Sequence, residues 1–185
     1  MSYNFNSQLE QDSKEYSFGK SRFFTMQEGD NKVRILTPGV AIGQHFMGKG
    51  IKPIVCVGVD NHCSHHDEKD SPATPKWVLY LWNYKTKGIQ EAKLSYRIMQ
   101  SLAKLQNNPD YKFDDLPMPY DITINATKAG TTEVQYAIVP SRQNSELPEG
   151  CEEQLAKKKP IQEVVDGMRL KSVSQDDIDP DAIPF

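Results

Sequence analysis

The stretch Lys76-Trp-Val-Leu-Tyr-Leu-Trp-Asn-Tyr-Lys-Thr-Lys87 decides how the rest of the chain is interpreted. Its aromatic and aliphatic content is typical of a β-strand, in which successive side chains point to opposite faces. One face carries Trp77, Leu79 and Leu81, and the other carries Val78, Tyr80, Trp82 and Tyr84. Because one apolar face is enough to form a core, the aromatic face requires a separate explanation. A long strand near the middle of the chain predicts a mainly β domain.

Further strands are predicted on both sides of this stretch. Residues 31–37 (NKVRILT) alternate Val33 and Ile35 with charged residues and end at Pro38-Gly39. Residues 120–127 and 132–139 alternate in the same way and are joined by a turn at 128–131, which predicts a hairpin. Their inward positions are Tyr120, Ile122, Ile124 and Ala126, then Val134, Tyr136 and Ile138.

Residues 95–106 have helical periodicity instead, with Ile98, Leu102 and Leu105 on one stripe and Ser95 as a candidate N-cap. The predicted fold class is therefore mainly β with short helices (α+β). The order of strands, helix and hairpin suits a small barrel, and the OB fold is the leading barrel of this kind among oligonucleotide-binding proteins.

Composition divides the chain into four segments. Residues 1–17 are polar and predict a flexible N-terminal arm. Residues 18–145 form the β-rich core, with a loop-rich insertion at about 40–75 that contains all four histidines. Residues 146–170 predict a helical segment with a break at Pro160, and residues 171–185 predict a disordered acidic tail.

The net charge of −3 is concentrated in the tail. Residues 171–185 contain one Lys and four Asp, so the remaining chain is neutral overall and can still contain a basic groove. The sequence has no apolar run long enough to span a bilayer and no signal-peptide pattern at its start. We therefore expect a cytoplasmic protein, in a bacterial host or a phage-infected cell, without a membrane partner.

The insertion contains a candidate metal site formed by His45, Cys56, Cys63 and His66. Zinc prefers four nitrogen and sulfur ligands in a tetrahedron, and a site filled by four protein ligands has a structural role. His62 and His65 lie beside these positions and are alternative ligands. Cys151 has no predicted role beyond that of an ordinary structural thiol.

The aromatic face of the long strand predicts a nucleic-acid surface. Proteins that bind single strands combine aromatic rings, on which bases stack, with a basic groove along the phosphates. The candidate stacking residues are Tyr80, Trp82 and Tyr84, and the candidate phosphate contacts are Arg34, Lys52, Lys85, Lys87, Lys93 and Arg97. The alternative is that the rings are core residues covered by the arm or by the last helix.

The tail ends in a compact apolar tripeptide after a series of acids. A partner protein could accept the last ring in an apolar pocket and pair the carboxylate groups with basic side chains. The same acids could also occupy the chain's own basic groove in the absence of nucleic acid. The candidate partner-binding residues are Asp176, Asp177, Asp179, Asp181, Ile183, Pro184 and Phe185.

The strand NKVRILTPG, followed by His45, Cys56 and Cys63-x2-His66, resembles the T-even phage helix-destabilising proteins and related phage single-stranded DNA-binding proteins. The resemblance covers roughly residues 18–140 and implies an OB fold with an inserted zinc subdomain. The family's fourth zinc ligand is Cys, where this chain has His66. The DDIDPDAIPF end is similar to the acidic tip of bacterial single-stranded DNA-binding proteins, which docks replication and repair enzymes.

The family also implies cooperative self-association on DNA through its N-terminal segment. Lys20, Ser21 and Arg22 are the candidate carriers, although the family's basic N-terminal motif has no clean match here. The resemblance implies a non-enzymatic protein that coats single-stranded DNA in replication, recombination and repair. Two alternatives remain at this point: a zinc-ribbon adaptor that binds only protein, and a metal-dependent nuclease that uses the His-rich loop and the acids at 67–70. RNA binding is a close variant of the favoured function.

Overall fold

The computed structural model describes residues 21–48, 51, 53–57, 63, 65 and 72–176, with side chains as far as Ser172. The predicted N-terminal arm and most of the predicted acidic tail lie outside these residues. No helix in the described part of the chain combines the length and the apolar character that crossing a membrane requires.

The described residues form a mainly β structure with short helices, as predicted. The strands are β1 (Gly29–Ile35), β2 (Val40–His45), β3 (Ile54–Cys56), β4 (Thr74–Asn83), β5 (Gly88–Ser95), β6 (Ile122–Thr127) and β7 (Gln135–Pro140). The helices are α1 (Tyr96–Gln106), α2 (Cys151–Ala156) and α3 (Ile161–Asp176).

All seven strands belong to one antiparallel sheet in which β4 is central. One edge of β4 pairs with β5, and the other edge is shared by β2 along its first half and β1 along its second half. β1 and β2 thus behave as one bent strand, and pairing continues across the bend because the Leu36 N–H donates to the Tyr80 carbonyl at 3.0 Å. β3 extends the sheet beyond β2, while β6 and β7 extend it beyond β1. Among the described strands the outermost ones do not pair with each other, so the sheet is open.

The inner face of the sheet and α1 enclose the main hydrophobic core. Its buried members are Val33, Ile35, Leu79, Leu81, Ala92, Leu94, Ile98, Leu102, Met118, Tyr120, Ile122 and Ile124. These include the inward positions predicted for β1 and, apart from the separately buried Ala126, those predicted for β6, together with two of the three predicted helix positions. The third, Leu105, packs against the cluster from a half-buried position. The β6–β7 pairing confirms the predicted hairpin, but β7 begins at Gln135 and not at residue 132, so the connection is longer than the predicted turn at 128–131.

The sequence prediction does not contain β5. Its buried Gln90 and Glu91 interrupt the alternation of apolar residues that would indicate a strand. Both polar side chains find partners in residues 21 and 22, which run along the edge of β5 opposite β4. Gln90 donates to the Ser21 carbonyl at 2.6 Å, and Glu91 lies 2.6 Å from Arg22. Contacts that are distant in sequence therefore compensate the burial of Gln90 and of one carboxylate oxygen of Glu91, while the other oxygen, Oε2, has no hydrogen-bond partner among the described residues.

The boundaries predicted for the insertion and for the C-terminal helical segment differ from those in the structure. The insertion at 40–75 is not only loop, because β2 pairs with β4 and β3 pairs with β2. The C-terminal helix does not end at residue 170, because α3 continues to Asp176 and Ser172 is 6% exposed. In both cases tertiary packing extends regular structure into segments whose composition alone suggested loop or tail.

Candidate metal centre and nucleic-acid surface

Three side chains that can bind a metal meet at the outer edge of the sheet, where β2 and β3 pair. His45 ends β2 and Cys56 ends β3, and the cross-strand pairs Gly43↔Cys56 and His45↔Ile54 direct both side chains to the same face. Cys63 follows in sequence, and its Sγ lies 3.5 Å from Nε2 of His45. The three ligand atoms all lie within 4.8 Å of one another.

The separation between Cys63 and His45 fits two ligands of one tetrahedral metal ion. Zn–S bonds of about 2.3 Å and Zn–N bonds of about 2.0–2.1 Å place a sulfur and a nitrogen ligand about 3.6 Å apart at the tetrahedral angle. The 3.5 Å between Cys63 and His45 agrees with that value. His45 is fully buried and Cys63 is 8% exposed, so water is excluded from much of the group. Two thiols and an imidazole form a donor set that can hold a metal.

Gly43 provides the space that this group needs. A Cβ atom at Gly43 would lie 2.9 Å from the Cβ of Cys56 and 3.3 Å from the Cβ of Ala73. Real Cβ atoms do not approach a neighbour as closely as the first of these distances, so any side chain at this position would displace Cys56. The glycine therefore allows β2 and β3 to bring Cys56 against His45.

A tetrahedral zinc site needs a fourth ligand in addition to His45, Cys56 and Cys63. The predicted ligand, His66, and the alternative His62 lie outside the described residues. The other alternative, His65, is described, and its ring centroid lies 5.9 Å from that of His45 at an interplanar angle of 55°. The choice between His66 and its neighbours stays a prediction.

The predicted stacking stripe is buried. Tyr80 and Trp82 are 2% and 4% exposed, and the Tyr80 hydroxyl donates to the Lys159 carbonyl at 3.1 Å. The apolar residues around them are Leu36, Ile89, Leu147, Cys151, Leu155, Ile161, Val164 and Met168. The segment that contains α2 and α3 thus covers the outer face of β4. The expectation of an open stripe is corrected, because this segment supplies the apolar partner that the aromatic face needs.

Arg34 and Tyr84 are held by a buried carboxylate. Arg34 is 1% exposed, and its Nε donates to Oδ1 of Asp121 at 2.7 Å. The Tyr84 hydroxyl donates to the same oxygen at 2.7 Å, and Lys32 lies 3.0 Å from the other oxygen. Arg34 also donates to two backbone carbonyls at 145 and 146. It therefore links β1 to β6 and to the chain before α2, which corrects the expectation that it contacts phosphate.

The pKa values of this network follow from its contacts. Burial opposes ionisation of Asp121, but hydrogen bonds from Tyr84, Lys32 and Arg34 outweigh it and hold the pKa of this carboxyl below its ordinary value. Burial, together with the hydrogen bond to Asp121, raises the pKa of Tyr84 to about 12. Both groups therefore keep their ordinary charge states near neutral pH.

The other predicted cations lie at opposite ends of the β4–β5 hairpin. Lys85 and Lys87 are exposed in the turn between the strands, where Lys85 donates to Gln27 Oε1 at 2.5 Å. Lys93 and Arg97 are exposed at the far end, where β5 leads into α1. Lys52 lies outside the described residues. Lys85 and Lys87 are thus separated from Lys93 and Arg97 by the length of the hairpin, so these four do not form one continuous groove.

The sequence analysis missed an aromatic pair near Lys93 and Arg97. Trp77 and Tyr96 have ring centroids 6.1 Å apart at an interplanar angle of 35°, and Tyr96 is 53% exposed. Trp77 was placed on the core face by alternation, but it lies near the end of that face and is only half-buried. The useful signal was Tyr96 itself, a large aromatic at the first position of a helix and outside its apolar stripe.

Two further predictions concern the C-terminal part. Asp176 is the last residue of α3, whereas the rest of the predicted partner-binding set, from Asp177 to Phe185, lies outside the described residues. Cys151 is 1% exposed in the cluster beneath α2 and α3, and burial raises the pKa of its thiol. It lies away from the three metal-binding candidates and has the environment of a core residue.

Searches against protein-family models, curated proteins and solved structures found no match to this chain.

Proposed function

We propose that this chain is a non-enzymatic single-stranded DNA-binding protein of OB type that acts in replication, recombination and repair, with a structural zinc ion in its β2–β3 region. The observation that carries the proposal is the segregation of charge along the fold. Residues 31–109, which span β1 to α1, contain eleven Lys and Arg against five Asp and Glu. Residues 110–185 contain eight against fifteen. A chain that is acidic overall thus concentrates positive charge in one half of its sequence. Lys32 and Arg34 pair with Asp121, and without these two the same half still has nine cations against five acids.

The carboxylates of the basic half strengthen this argument. Within the described part of residues 31–109, Glu91 is the only Asp or Glu. It is 5% exposed and paired with Arg22, so it adds little negative charge to the surface. The described residues of β4, β5 and α1 therefore carry no exposed acid of their own, which favours a polyanionic ligand.

The strand pairings support the OB type. An OB barrel is a partly open Greek-key barrel of five strands that binds oligonucleotides. If β1 and β2 count as one bent strand and β3 as part of the insertion, five strands remain. Their order along the chain is the bent strand, the β4–β5 hairpin, helix α1 and the β6–β7 hairpin. The bent strand pairs with both hairpins. β3 and the segment up to β4 then form the insertion that contains the metal group.

Zinc is the metal that best fits two thiols and an imidazole with a further imidazole in reserve. His45, Cys56 and Cys63 would hold it, with His66 as the proposed fourth ligand. Zinc bound by four protein ligands would supply a cross-link that fixes the β2–β3 edge. The residues themselves orient the insertion relative to β4 and exclude water from the site.

The acidic end has a separate proposed role. Asp176, Asp177, Asp179 and Asp181 would steer basic partners, and the terminal Ile183-Pro184-Phe185 would occupy an apolar pocket on a replication or recombination protein. The same acids would compete with DNA for the basic half of the chain. Cooperative self-association on DNA through the N-terminal segment is a further part of the proposal.

Binding of fluorescent oligo(dT) at two salt concentrations tests the function. Full-length protein is compared with a form truncated after Asp176, which keeps all of α3. We expect binding that weakens with salt, with log K falling by about 0.7 per phosphate contact for each tenfold rise in salt, and that tightens on truncation. Failure of both forms to bind would sink the proposal and favour a zinc-containing protein adaptor. Cleavage of the oligonucleotide by pure protein would favour the nuclease alternative.

Metal content tests the zinc site separately. We expect one equivalent of zinc in purified protein, and its replacement by Co²⁺ should give the absorption of tetrahedral thiolate ligands. Cys63→Ser should lower the metal content, whereas Cys151→Ser, a matched change at a buried thiol outside the group, should not. Equal loss in both variants would contradict the assignment.

A further inference from the structure

The described strands leave three outer edges on the sheet, and these edges are not equally protected. An unpaired edge can pair with another chain, so proteins usually shorten, cover or charge it. The strand at one edge, β3, is three residues long, and residues 22–24 run along the edge of β5 and exchange backbone hydrogen bonds with it. The third edge belongs to β7, which is six residues long and pairs with no described strand except β6.

The side chains of β7 do not protect this edge either. The strand is Gln135-Tyr-Ala-Ile-Val-Pro140, which has no charged residue and has its proline at the last position. On the face of the sheet opposite the main core, Gln135 and Ala137 are exposed and Val139 is 58% exposed. β7 is therefore an uncharged and partly apolar edge strand.

The register shows which backbone groups of β7 are unused. The Ser141 N–H donates to the Asp121 carbonyl at 2.8 Å, and hydrogen-bonded pairs recur at every second residue of an antiparallel ladder. The odd-numbered residues of β7 therefore bond to β6. The N–H and C=O groups of Tyr136 and Ile138 point away from β6, and no backbone group of the described residues bonds to them there.

These unused groups match those of a second β7 that runs in the opposite direction. If a two-fold axis passes through Ala137, Tyr136 of each copy lies opposite Ile138 of the other, and each such pair exchanges both of its hydrogen bonds. The side chains that face the main core then stay on one face of the joined sheet, and Val139 stays on the other. Ala137 faces its own counterpart, and its small side chain permits the close approach of a pair that is not hydrogen-bonded.

The charges beside β7 favour the same direction of pairing. At the hairpin end, Glu28 and Glu133 outnumber Lys128, which leaves one net negative charge. At the other end the nearest charged residue is Arg142. Antiparallel pairing brings the hairpin end of each copy towards Arg142 of the other, so opposite charges approach at both ends of the contact. A second copy of the chain carries this pattern, whereas an unrelated strand would have to supply it.

We propose that two copies of this chain associate through their β7 edges, which joins their sheets into one antiparallel sheet about a two-fold axis at Ala137. The contact requires neither DNA nor the N-terminal segment, so it is independent of the proposed function. Pairing of two short strands buries less than the roughly 1,200 Å² at the lower limit of standard interfaces. We therefore expect a reversible dimer with a dissociation constant in the micromolar range.

Sedimentation equilibrium of full-length, metal-loaded protein without DNA tests the association. We expect the average mass to rise from monomer to dimer over about a hundredfold range of concentration in the micromolar region. Ala137→Lys should abolish the rise, because two like charges would face each other across the axis. Ala41→Lys adds the same charge to an exposed alanine of β2 and should leave the rise unchanged. A monomer at every concentration, or an Ala137→Lys protein that dimerises normally, would overturn the proposal.

A mixture of two variants tests the two-fold axis. Ala137→Lys and Ala137→Asp should each be monomeric alone, and their mixture should form a heterodimer because opposite charges then face each other. This rescue also shows that both variants are folded. Two monomeric variants that fail to associate when mixed, with circular dichroism spectra matching that of the unaltered protein, would contradict the axis.

A cysteine variant tests the location without adding charge. The Cα atoms of a non-hydrogen-bonded antiparallel pair lie about 4.5 Å apart, within the range of about 4.4–6.8 Å that a disulfide spans. Mild oxidation of Ala137→Cys should therefore give a covalent dimer on a non-reducing gel. Thr132→Cys, at an exposed position of the β6–β7 turn, should stay monomeric. Equal cross-linking of the two variants, or of neither, would overturn the proposal.

Discussion

Two regions of the sheet are stabilised by different interactions. One is the hydrophobic core between the sheet and α1, and the other is the metal edge, where β2 and β3 bring His45, Cys56 and Cys63 together. The core joins β1, β4, β5, β6 and α1 through a large buried apolar cluster. Around the metal edge the buried apolar residues are few: Ile42, Val55, Val78 and Val165. There, His45, Cys56 and Cys63 occupy positions where apolar side chains would otherwise be expected. The proposed zinc ion would supply at this edge the cross-link that the large apolar cluster supplies in the core.

The largest expected effect is on the metal edge alone. With metal removed by a chelator, β2 beyond Ile42 and all of β3 should lose protection from hydrogen exchange, because metal-binding free energy is folding free energy in such regions, about 10–16 kcal/mol in zinc-finger peptides. Amides of β1 and β6 should keep their protection. Exchange followed by mass spectrometry measures both regions in one experiment, and equal loss in the two would contradict the comparison.

The next largest effect is expected in the core, on removal of the carboxylate that pairs with Arg34. Asp121→Ala leaves Arg34 buried without its carboxylate partner and should lower the free energy of unfolding by about 3–5 kcal/mol. Chemical denaturation followed by circular dichroism measures this value. The exposed pair Lys112–Asp114 offers a matched control, because Asp114→Ala should change stability by less than about 1 kcal/mol. Metal content should be unaffected by either substitution.

A smaller effect is expected at Gly43, within the metal edge itself. Gly43→Ala forces Cys56 away from its place and should cost about 1–3 kcal/mol as overpacking. Competition with a chromogenic chelator should show weaker metal binding, while the core remains folded. Gly167→Ala is the control, since a Cβ there meets no atom within 4 Å. Unchanged metal affinity in Gly43→Ala would mean that Cys56 is not a ligand.

The smallest effect is in the acid range. The folded-state pKa of Asp121 lies below its ordinary value of 3.8, so the stabilisation that its charge provides is present above that value and is lost as the pH falls through the folded-state pKa. Denaturation midpoints should therefore decline below about pH 4. Asp121→Asn should show a shallower decline over the same range, and an identical decline would assign the effect to other carboxyls.

Much of the core could be predicted from sequence. Alternation located the inward residues of β1 and β6, and the helical stripe identified Ile98 and Leu102, because these segments bury one face and expose the other. The metal candidates were found from residue type and spacing, since His and Cys are seldom clustered in a short loop for other reasons. Three of the four proposed ligands lie in described positions, and those three meet.

The sequence pattern could not predict which part of the molecule lies against each face of the sheet. Alternation showed that β4 has an aromatic side but not whether DNA or the chain's own helices lie against it. Arg34 looked like a surface cation because its partner, Asp121, is distant in sequence. β5 was missed for a similar reason, since its buried Gln90 and Glu91 depend on residues 21 and 22. Each error concerns a polar or aromatic group whose partner comes from a remote segment.

The pairing of Gln44 with Thr74 has a consequence for how the molecule can vary. These two residues close the base of the insertion, and Thr74 Oγ1 donates to the Gln44 carbonyl at 3.1 Å. The insertion therefore starts and ends at neighbouring positions in the sheet. Changing its length costs little free energy, because the entropy of closing a loop rises only slowly with its length. The insertion can therefore lengthen, shorten or be exchanged for another module without altering the order in which the strands of the host domain pair.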